Sequence, residues 1–208
     1  NTKRIYIWGV IIILLTLLFF FFIIPEESFA NTFFYVVSSI STSGLSNYNL
    51  NYDLSLLFIL LTIIGGSLIS TSSGLKYIRF YILLKISYQE IYRLVKPINI
   101  FNKNLFNTES KISDDDAKVA FLVFITFITS LFVMASILTL DNLNFESAFK
   151  LSILTLTNTT GSSLYGLENL SFYEFSIFSK ITLIIFMILG KIEIIAILFL
   201  INKFLLKE

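Results

Sequence analysis

Residues 41–44 read Ser-Thr-Ser-Gly and residues 159–162 read Thr-Thr-Gly-Ser, two polar stretches within an otherwise strongly apolar sequence. A short mixed segment precedes each of them, Ser28–Ile40 before the first and Phe145–Leu156 before the second. Neither segment has the roughly 20 apolar residues that a helix needs to cross a bilayer. The two glycines lie 117 residues apart, and this pairing predicts a repeated unit.

Long apolar segments stand in the same order around both stretches. Ile5–Ile24 and Ala117–Leu140 come before them, and each is long enough to cross a hydrocarbon core of roughly 30 Å. Leu54–Ile64 and Phe175–Leu200 come after them. The chain therefore reads as helix, short helix, glycine loop and helix, twice over. The predicted units are residues 1–98, a polar linker of residues 99–116, and residues 117–208.

The composition favours lipid as the solvent of this chain. Hydrophobic residues make up 56% of it and charged residues only 14%, whereas a soluble domain carries about 25% charged residues. We therefore predict an all-α integral membrane protein. Because the chain has no Cys and no His, a hydrolase or metalloenzyme is disfavoured, and we expect no enzymatic activity. The chain starts at Asn1 rather than Met, so we expect further residues before it.

The distribution of charge predicts the orientation in the membrane. Twelve of the 15 basic residues lie near the two ends and around the middle loop, which places these parts on the cytoplasmic side. The opposite side carries seven acidic residues and the two lysines Lys150 and Lys180. Both termini of the chain are then cytoplasmic, and each short helix must enter the membrane from the outer side and return.

A loop at membrane depth must line water or be buried in protein, because lipid cannot satisfy its backbone carbonyls. Carbonyl and hydroxyl oxygens that face one axis can replace the hydration shell of a cation. Glycine permits the backbone angles that aim carbonyls inward. The alternative is that both stretches merely cap ordinary helices. The predicted ion-binding residues are Ser41, Thr42, Ser43, Gly44, Leu45, Thr159, Thr160, Gly161 and Ser162.

A second glycine-rich stretch follows Leu54–Ile64 and predicts a break in that helix. Two adjacent glycines followed by small polar residues cannot hold a straight helix in lipid, and broken helices at mid-membrane commonly mark ion sites or gates. A packing kink is the alternative. Lys191, deep in an apolar run, is expected to face the pore near this stretch, unless it only pairs with neighbouring helices. The predicted gate residues are Gly65, Gly66, Ser67, Ser70, Thr71, Ser72, Ser73, Gly74 and Lys191.

These motifs resemble those of the potassium transporter superfamily of TrkH and KtrB. Residues 33–46 resemble the third filter segment of that family, and residues 158–163 resemble the fourth. Residues 65–76 resemble its intramembrane gate loop, and the Gly-Lys-Ile-Glu-Ile run at 190–194 resembles the motif of its final helix. The likeness covers essentially the whole chain.

The resemblance implies a fold of four M1–P–M2 pore-loop repeats around one pore, of which this chain supplies the third and fourth. It also implies gated, channel-like potassium uptake, with sodium as a second permeant ion. Potassium is then the transported ion, the filter is the only metal site, and no cofactor is bound covalently. Two loops do not complete a four-loop filter, so either the first half is missing or two copies associate.

The resemblance further implies that full-length subunits form a homodimer in the bacterial cytoplasmic (inner) membrane, surrounded by lipid. A cytosolic ring of nucleotide-binding regulatory subunits, TrkA or KtrA, is the expected partner, and no nucleic acid is expected. Residues 77–95 could contact that ring or simply form a solvated helix end. Two other functions stay open, an ion-coupled secondary transporter and a non-conducting membrane scaffold.

Overall fold

The computed structural model describes residues 10, 11, 14, 17, 18, 28–46, 54–65, 74–95, 113–167, 170 and 172–191. These residues form helices joined by turns, and none of them lies in a strand. The α-helices are α1 (Phe29–Ile40), α2 (Ser55–Ile64), α3 (Tyr77–Val95), α4 (Asp114–Thr139), α5 (Phe145–Leu156) and α6 (Ile177–Lys191). Two short 3-10 turns, Ser163–Tyr165 and Phe172–Glu174, lie between α5 and α6. The predicted all-α fold is confirmed.

The two short helices form where the sequence predicts them. Helix α5 has the predicted bounds, and α1 begins one residue later because Ser28 caps it, accepting a hydrogen bond from the amide of Asn31 at 3.2 Å. Each helix has 12 residues, about 18 Å of length, and neither can cross a hydrocarbon core. Both helices end directly before a glycine loop.

Helix α2 breaks at the predicted glycine. It ends at Gly65, whose φ of 64° is accessible mainly to glycine, and helical structure resumes only at Tyr77. The amide of Leu75 donates to the carbonyl of Ile63 at 3.1 Å, so the two ends of the interruption lie together. The predicted gate residues between them, Gly66, Ser67, Ser70, Thr71, Ser72 and Ser73, lie outside the described residues.

Helix α4 forms where the sequence predicts the span Ala117–Leu140. Within the described part of the chain it alone is long and apolar enough to cross a bilayer, with a mean hydropathy of 2.5 in its apolar window. A capping box between Ser113 and Asp116 starts the helix at Asp114, inside the segment assigned to the linker. The predicted linker extends too far, to residue 116, because three consecutive aspartates are typical of a loop. Acidic residues also stabilise the first turn of a helix, and here they do so.

The core lies where the two units meet. Helix α1 packs on α2, and α5 packs between α4 and α6, while a central cluster joins both units through Tyr35, Phe58, Met134, Leu138 and Tyr165. Each of these five side chains is fully buried. The two glycine loops are therefore held by packed side chains from both units.

Two predicted spans are described only in part. In Ile5–Ile24 the described positions are helical, and they are Val10, Ile11, Leu14, Leu17 and Leu18. The span predicted over Phe175–Leu200 begins as α6 at Ile177 and is described as far as Lys191.

Candidate ion-binding site at the two glycine loops

The two predicted ion-binding stretches lie side by side. The amide of Gly161 and the hydroxyl of Thr160 both donate to the carbonyl oxygen of Ser43, each at 2.9 Å. A Cβ added to Gly44 would overlap the carbonyl oxygen of Gly161, and a Cβ added to Gly161 would overlap that of Gly44. Both positions require glycine because the two backbones approach so closely.

The first loop is fastened to its own helix by Ser38. The carbonyl oxygen of Ser38 accepts hydrogen bonds from the amides of Ser43 and Gly44 at 3.0 and 3.3 Å. The hydroxyl of Ser38 donates to the carbonyl of Leu45 at 2.8 Å. The same hydroxyl lies 2.9 Å from that of Ser43. Ser38 is 3% exposed, so these bonds are shielded from competing water.

The second loop is fastened both to its own helix and to helix α6. The amide of Thr159 donates to the carbonyl of Leu154 at 2.9 Å, and the hydroxyls of Thr157 and Thr159 lie 2.7 Å apart. The side-chain amide of Asn158 donates to the carbonyl of Met187 in α6 at 2.8 Å. This loop therefore depends on the last turns of α6 for its position.

The helix caps are related by a different spacing from the glycines. Thr42 follows α1 with a φ of 60°, and Asn158 follows α5 with a φ of 51°, so both are left-handed caps. The capping hydrogen bonds of the two helices repeat with a spacing of 116 residues, whereas Gly44 and Gly161 are 117 apart. The second loop thus carries one more residue between cap and glycine, and the predicted equivalence of the two glycines is wrong by one position.

The predicted ion-binding residues differ in what their oxygens already bind. The carbonyls of Ser43, Leu45 and Ser162 accept hydrogen bonds from within the protein. Among the described residues, nothing donates a hydrogen bond to the carbonyl of Gly44 or of Gly161. Each of these oxygens lies against the Cβ position of the other glycine at the contact between the loops, and both have unused acceptor capacity for a cation.

The remaining predicted residues surround this contact. Thr42 and Thr159 are 7% exposed and line its buried side. Ser41 and Thr160 are exposed, and the side chain of Leu45 is 53% exposed. All nine predicted ion-binding residues are therefore together in one place.

Tyr165 supports both loops from behind. Its side chain is fully buried, and a ring carbon lies 3.0 Å from the Cβ position of Gly44. Its amide donates to the carbonyl of Ser162 at 3.1 Å, which continues the second loop into a 3-10 turn. Its hydroxyl lies 2.7 Å from the hydroxyl of Thr62 in α2. Tyr165 therefore contacts the first loop and the broken helix through its side chain, and the second loop through its backbone amide.

A cavity of about 580 Å³ lies beside the second loop, between α5 and α6. Its wall is mainly apolar, with the polar residues of the loop at one side and Lys180 among the residues of α6. The ammonium group of Lys180 donates to the carbonyl of Tyr173 at 3.1 Å and lies 5.7 Å from the centre of the Tyr173 ring. Both contacts stabilise the ammonium group of Lys180 in this position.

Charged groups on the predicted outer side are paired close to the loops. Lys150, in α5, is 5% exposed and forms a salt bridge with Glu146 at 2.6 Å. The carboxylate of Asp141 accepts from the amide and hydroxyl of Ser176, at 3.0 and 2.9 Å. A hydrogen bond from the hydroxyl of Ser179 is the largest cause that holds the pKa of Asp141 below its ordinary value of 3.8, and the bonds from Ser176 and the charge of Lys180 add to it.

The described gate residues flank the break in α2. Gly74, with a φ of 96°, returns beside α2, where its Cβ position is 3.2 Å from the carbonyl oxygen of Thr62. Lys191 is exposed and follows Gly190, at which an added Cβ would overlap the carbonyl oxygen of Leu156 in α5. The predicted contact of Lys191 with the gate stretch falls on residues outside those described, so it stays a prediction.

The comparison with protein families agrees with this architecture. The model of the TrkH family, described as a cation transport protein, matches residues 23–206, most of the chain. The chain belongs to the TrkH family. This family consists of transporters in membranes and is not a family of enzymes. The sequence-based assignment to the TrkH and KtrB superfamily is confirmed.

Individual relatives extend this result. An uncharacterized cation transporter of Methanocaldococcus jannaschii is 31% identical over 81% of the chain and 35% of its own length. The Trk system potassium uptake protein TrkG of Escherichia coli is 31% identical over 85% of the chain and 36% of its own length. The chain thus spans about a third of the length of these relatives. The crystal structure of the potassium transporter TrkH from Vibrio parahaemolyticus shares the fold, with a TM-score of 0.77, 24% identity and coverage of 95% of this chain and 42% of that one.

Sequence reasoning missed the residues that hold the loops in place. Thr62 and Tyr165 were not among the candidates, and Ser38, Asn158 and Gly190 were noted only as parts of motifs. For Ser38 a local signal existed, because a serine three residues before the loop can reach it. Thr62 and Tyr165 carry no such signal, since they are 103 residues apart.

Proposed function

We propose that this chain forms half of a potassium-conducting pore, in which potassium is bound by backbone oxygens of the two glycine loops. The observation that carries the proposal is the contact between the two loops, at which the carbonyl oxygens of Gly44 and Gly161 accept no hydrogen bond from the described residues. Carbonyl oxygens that face one axis can replace the hydration shell of a cation. The family, and the name of the Escherichia coli relative, a potassium uptake protein, support the choice of ion.

The orientation of the short helices supports a cation at this place. Both α1 and α5 end at a loop, so their partially negative C-terminal ends point toward the contact between the loops. Ion binding is expected to involve Ser41, Thr42, Ser43, Gly44, Leu45, Thr159, Thr160, Gly161 and Ser162. The carbonyl of Ser43 can take part only by giving up its bonds from Thr160 and Gly161.

Gating is proposed at the break in α2. Helix α2 ends at Gly65, and the amide of Leu75 donates to the carbonyl of Ile63 at 3.1 Å, so the two sides of the break lie together. We propose that Lys191 lies near this break and lowers cation occupancy there. Sodium is proposed as a second permeant ion.

The complete transporter is proposed to be a homodimer in the cytoplasmic membrane of the cell, with the ends of this chain on the cytoplasmic side. We propose that a cytosolic nucleotide-binding subunit binds the surface of α3, which carries Arg79, Lys85 and Arg93. The Escherichia coli relative belongs by name to a Trk system, which supports an assembly of several components.

The proposal is tested by growth of a potassium-uptake-deficient bacterium on micromolar potassium, with the complete transporter supplied from a plasmid. Gly161→Asp places a side chain where the carbonyl of Gly44 lies, and we expect it to abolish growth at equal membrane abundance. Gly166→Asp is the matched control, because the nearest atom to its Cβ position is the ammonium nitrogen of Lys150 at 3.9 Å. Equal growth with Gly161→Asp and wild type would refute the pore.

Currents separate a channel from a coupled transporter. If the complete transporter conducts passively, its current reverses near the potassium equilibrium potential and needs no second ion. Uptake that depends strictly on a sodium or proton gradient would refute the channel mechanism and favour a secondary transporter.

A further inference from the structure

The first glycine loop is closed by a buried hydroxyl group that the proposed function does not use. The hydroxyl of Ser38, in the last turn of α1, donates to the carbonyl of Leu45 at 2.8 Å. Leu45 directly follows Gly44, so this bond reaches past the glycine from the helix that precedes it. The carbonyl of Ser38 accepts from the amides of Ser43 and Gly44. One residue of α1 therefore holds the loop both before and after the carbonyl of Gly44.

The direction of the bond follows from the number of protons available. A carbonyl can only accept and a serine hydroxyl has one proton, so Ser38 gives its proton to Leu45. The hydroxyl of Ser43, 2.9 Å from that of Ser38, is then the donor in the contact between these two side chains. The result is a chain of bonds from Ser43 through Ser38 to Leu45, in which each bond strengthens the next.

The three consecutive carbonyls of the first loop differ in what they bind. The carbonyl of Ser43 accepts from the second loop, that of Leu45 accepts from Ser38, and that of Gly44 accepts from none of the described residues. Within the described part of the chain, the hydroxyl of Ser38 is the one donor to the carbonyl of Leu45. Without this hydroxyl, the carbonyl of Leu45 could turn toward an ion beside Gly44. Ser38 thus decides which of the two neighbouring oxygens is uncommitted.

The second loop reaches the same arrangement without a side chain. The residue after its glycine is Ser162, whose carbonyl accepts from the backbone amide of Tyr165 at 3.1 Å. By the spacing of the helix caps, the counterpart of Ser38 is Leu154. The carbonyl of Leu154 accepts from the amide of Thr159 at 2.9 Å, but a leucine has no hydroxyl. Both loops therefore engage the carbonyl after the glycine, and only the first loop uses a side chain to do so.

We propose that Ser38 is a positioning residue for ion specificity, whose hydroxyl keeps the carbonyl of Leu45 away from the bound ion and so favours potassium over sodium. This inference rests on the proposed function, because it needs an ion at the contact between the loops. Selectivity depends on the size of the site and on the number of oxygens that face the ion. Release of the Leu45 carbonyl changes both, since it adds an oxygen and loosens the loop, and a looser site contracts more easily around the smaller sodium ion.

The test is Ser38→Ala in the complete transporter, reconstituted in lipid vesicles. This change removes the hydroxyl and suits a helix. Potassium tracer uptake is measured with increasing sodium outside, and the sodium-to-potassium concentration ratio that halves the uptake gives the selectivity. We expect this ratio to fall by about 5-fold, which is the effect of losing one hydrogen bond of typical net strength.

Ser39→Ala is the matched control, because Ser39 is the next residue of α1 and is also buried. Its hydroxyl donates to the carbonyl of Val36, in the same helix, at 2.9 Å and not to the loop. Both variants therefore lose one buried hydroxyl and one hydrogen bond, and we expect similar decreases in the thermal unfolding midpoint. The concentration ratio is expected to fall in Ser38→Ala and to stay at the wild-type value in Ser39→Ala.

An unchanged ratio in Ser38→Ala would overturn the inference, as would an equal fall in Ser39→Ala, which would attribute the effect to lost stability. If Ser38→Ala does not reach the membrane, Ser38→Cys replaces it, because a thiol is a weaker donor. A wild-type ratio in that variant has the same meaning.

Growth of Gly161→Asp separates this inference from the proposed function. Loss of growth in that variant together with an unchanged ratio in Ser38→Ala refutes only the role of Ser38. Full growth of Gly161→Asp refutes the pore, and the role of Ser38 falls with it.

Discussion

A short helix precedes each of the two glycine loops, and the loops contact each other, but different residues hold each loop in position. The first loop is held within its own unit, by the carbonyl and hydroxyl of Ser38. The second loop is one residue longer and is held partly by helix α6, through the bond from Asn158 to Met187. The two capped helices repeat one another, whereas the loops differ in length, and Gly44 and Gly161 still meet.

The helices that follow the loops differ in a similar way. Helix α2 ends at Gly65, whereas α6 continues past Gly190, which lies against the carbonyl of Leu156. Glycine thus has opposite uses in the two units. It ends a helix in the first unit and lets two helices touch in the second, and the four predictions that follow test this asymmetry.

The largest effect is expected from alanine at either loop glycine. Gly44→Ala and Gly161→Ala each place a methyl group on the backbone of the other loop, so potassium uptake by the complete transporter is expected to fall by about 100-fold or more. Gly44→Ala adds about 1–2 kcal/mol of strain, because the φ of Gly44 is 68° while that of Gly161 is outside the left-handed region. Radiotracer uptake measures the first effect and thermal unfolding in detergent the second.

Gly166→Ala is the control for this pair. It has a φ of 69°, similar to that of Gly44, but only the ammonium nitrogen of Lys150, at 3.9 Å, lies near its Cβ position, so it carries the strain without the backbone overlap. We expect uptake to remain near that of wild type. A loss as large as that of Gly44→Ala would mean that strain, and not the contact between the loops, explains the glycine at position 44.

The second effect concerns the contact of α6 with α5. Gly190→Ala places a methyl group on Leu156, whose carbonyl carbon is 2.8 Å from the added Cβ, so α6 must shift away from the end of α5. Overpacking of this kind costs about 1–3 kcal/mol. The bond from Asn158 to Met187 is expected to weaken with it. Thermal unfolding of the purified transporter in detergent gives the loss of stability, and an unchanged midpoint would contradict the close packing.

The third effect comes from exchanging the residues at the two left-handed caps. Asn tolerates this conformation, whereas a β-branched residue is strained in it by about 1–2 kcal/mol. Thr42→Asn is therefore expected to stabilise the protein by about 1 kcal/mol, and Asn158→Thr to destabilise it by about 2 kcal/mol, including about 1 kcal/mol for the lost bond to Met187. The thermal unfolding midpoints of both variants are compared with that of wild type. If both midpoints shift in the same direction, the two caps are not equivalent.

The smallest effect concerns Asp141, at the start of α6. The folded pKa of Asp141 is lower than its ordinary 3.8, so its ionised form stabilises the fold. This contribution is fully present above pH 3.8 and is lost as the pH falls through the lower folded pKa. Asp141→Asn is therefore expected to lower the unfolding midpoint slightly at neutral pH, and the difference from wild type is expected to shrink in acid. A difference that is independent of pH would show that the charge contributes nothing.

The difference between the two units also explains which features of the fold could be predicted from the sequence. The bounds of α5, the break at Gly65 and the proximity of the two loops follow from apolar segment length, glycine placement and the need to bury polar backbone. The start of α4 was misplaced because acidic residues occur in both linkers and first turns of helices. The predicted equivalence of Gly44 and Gly161 was wrong by one position. The spacing between two glycines in the sequence does not show which residue ends the helix before each of them.

By itself, the sequence determined that this chain belongs in a membrane, that it contains two helix–loop–helix units, and that a glycine stands at the centre of each loop. These features depend on local composition and on segment length. Only the tertiary structure decided that Ser43 pairs with Gly161, that Gly190 lies on Leu156, and that Tyr165 reaches Thr62. Such contacts join residues far apart in the chain, and they depend on packing distances that no short stretch of sequence encodes.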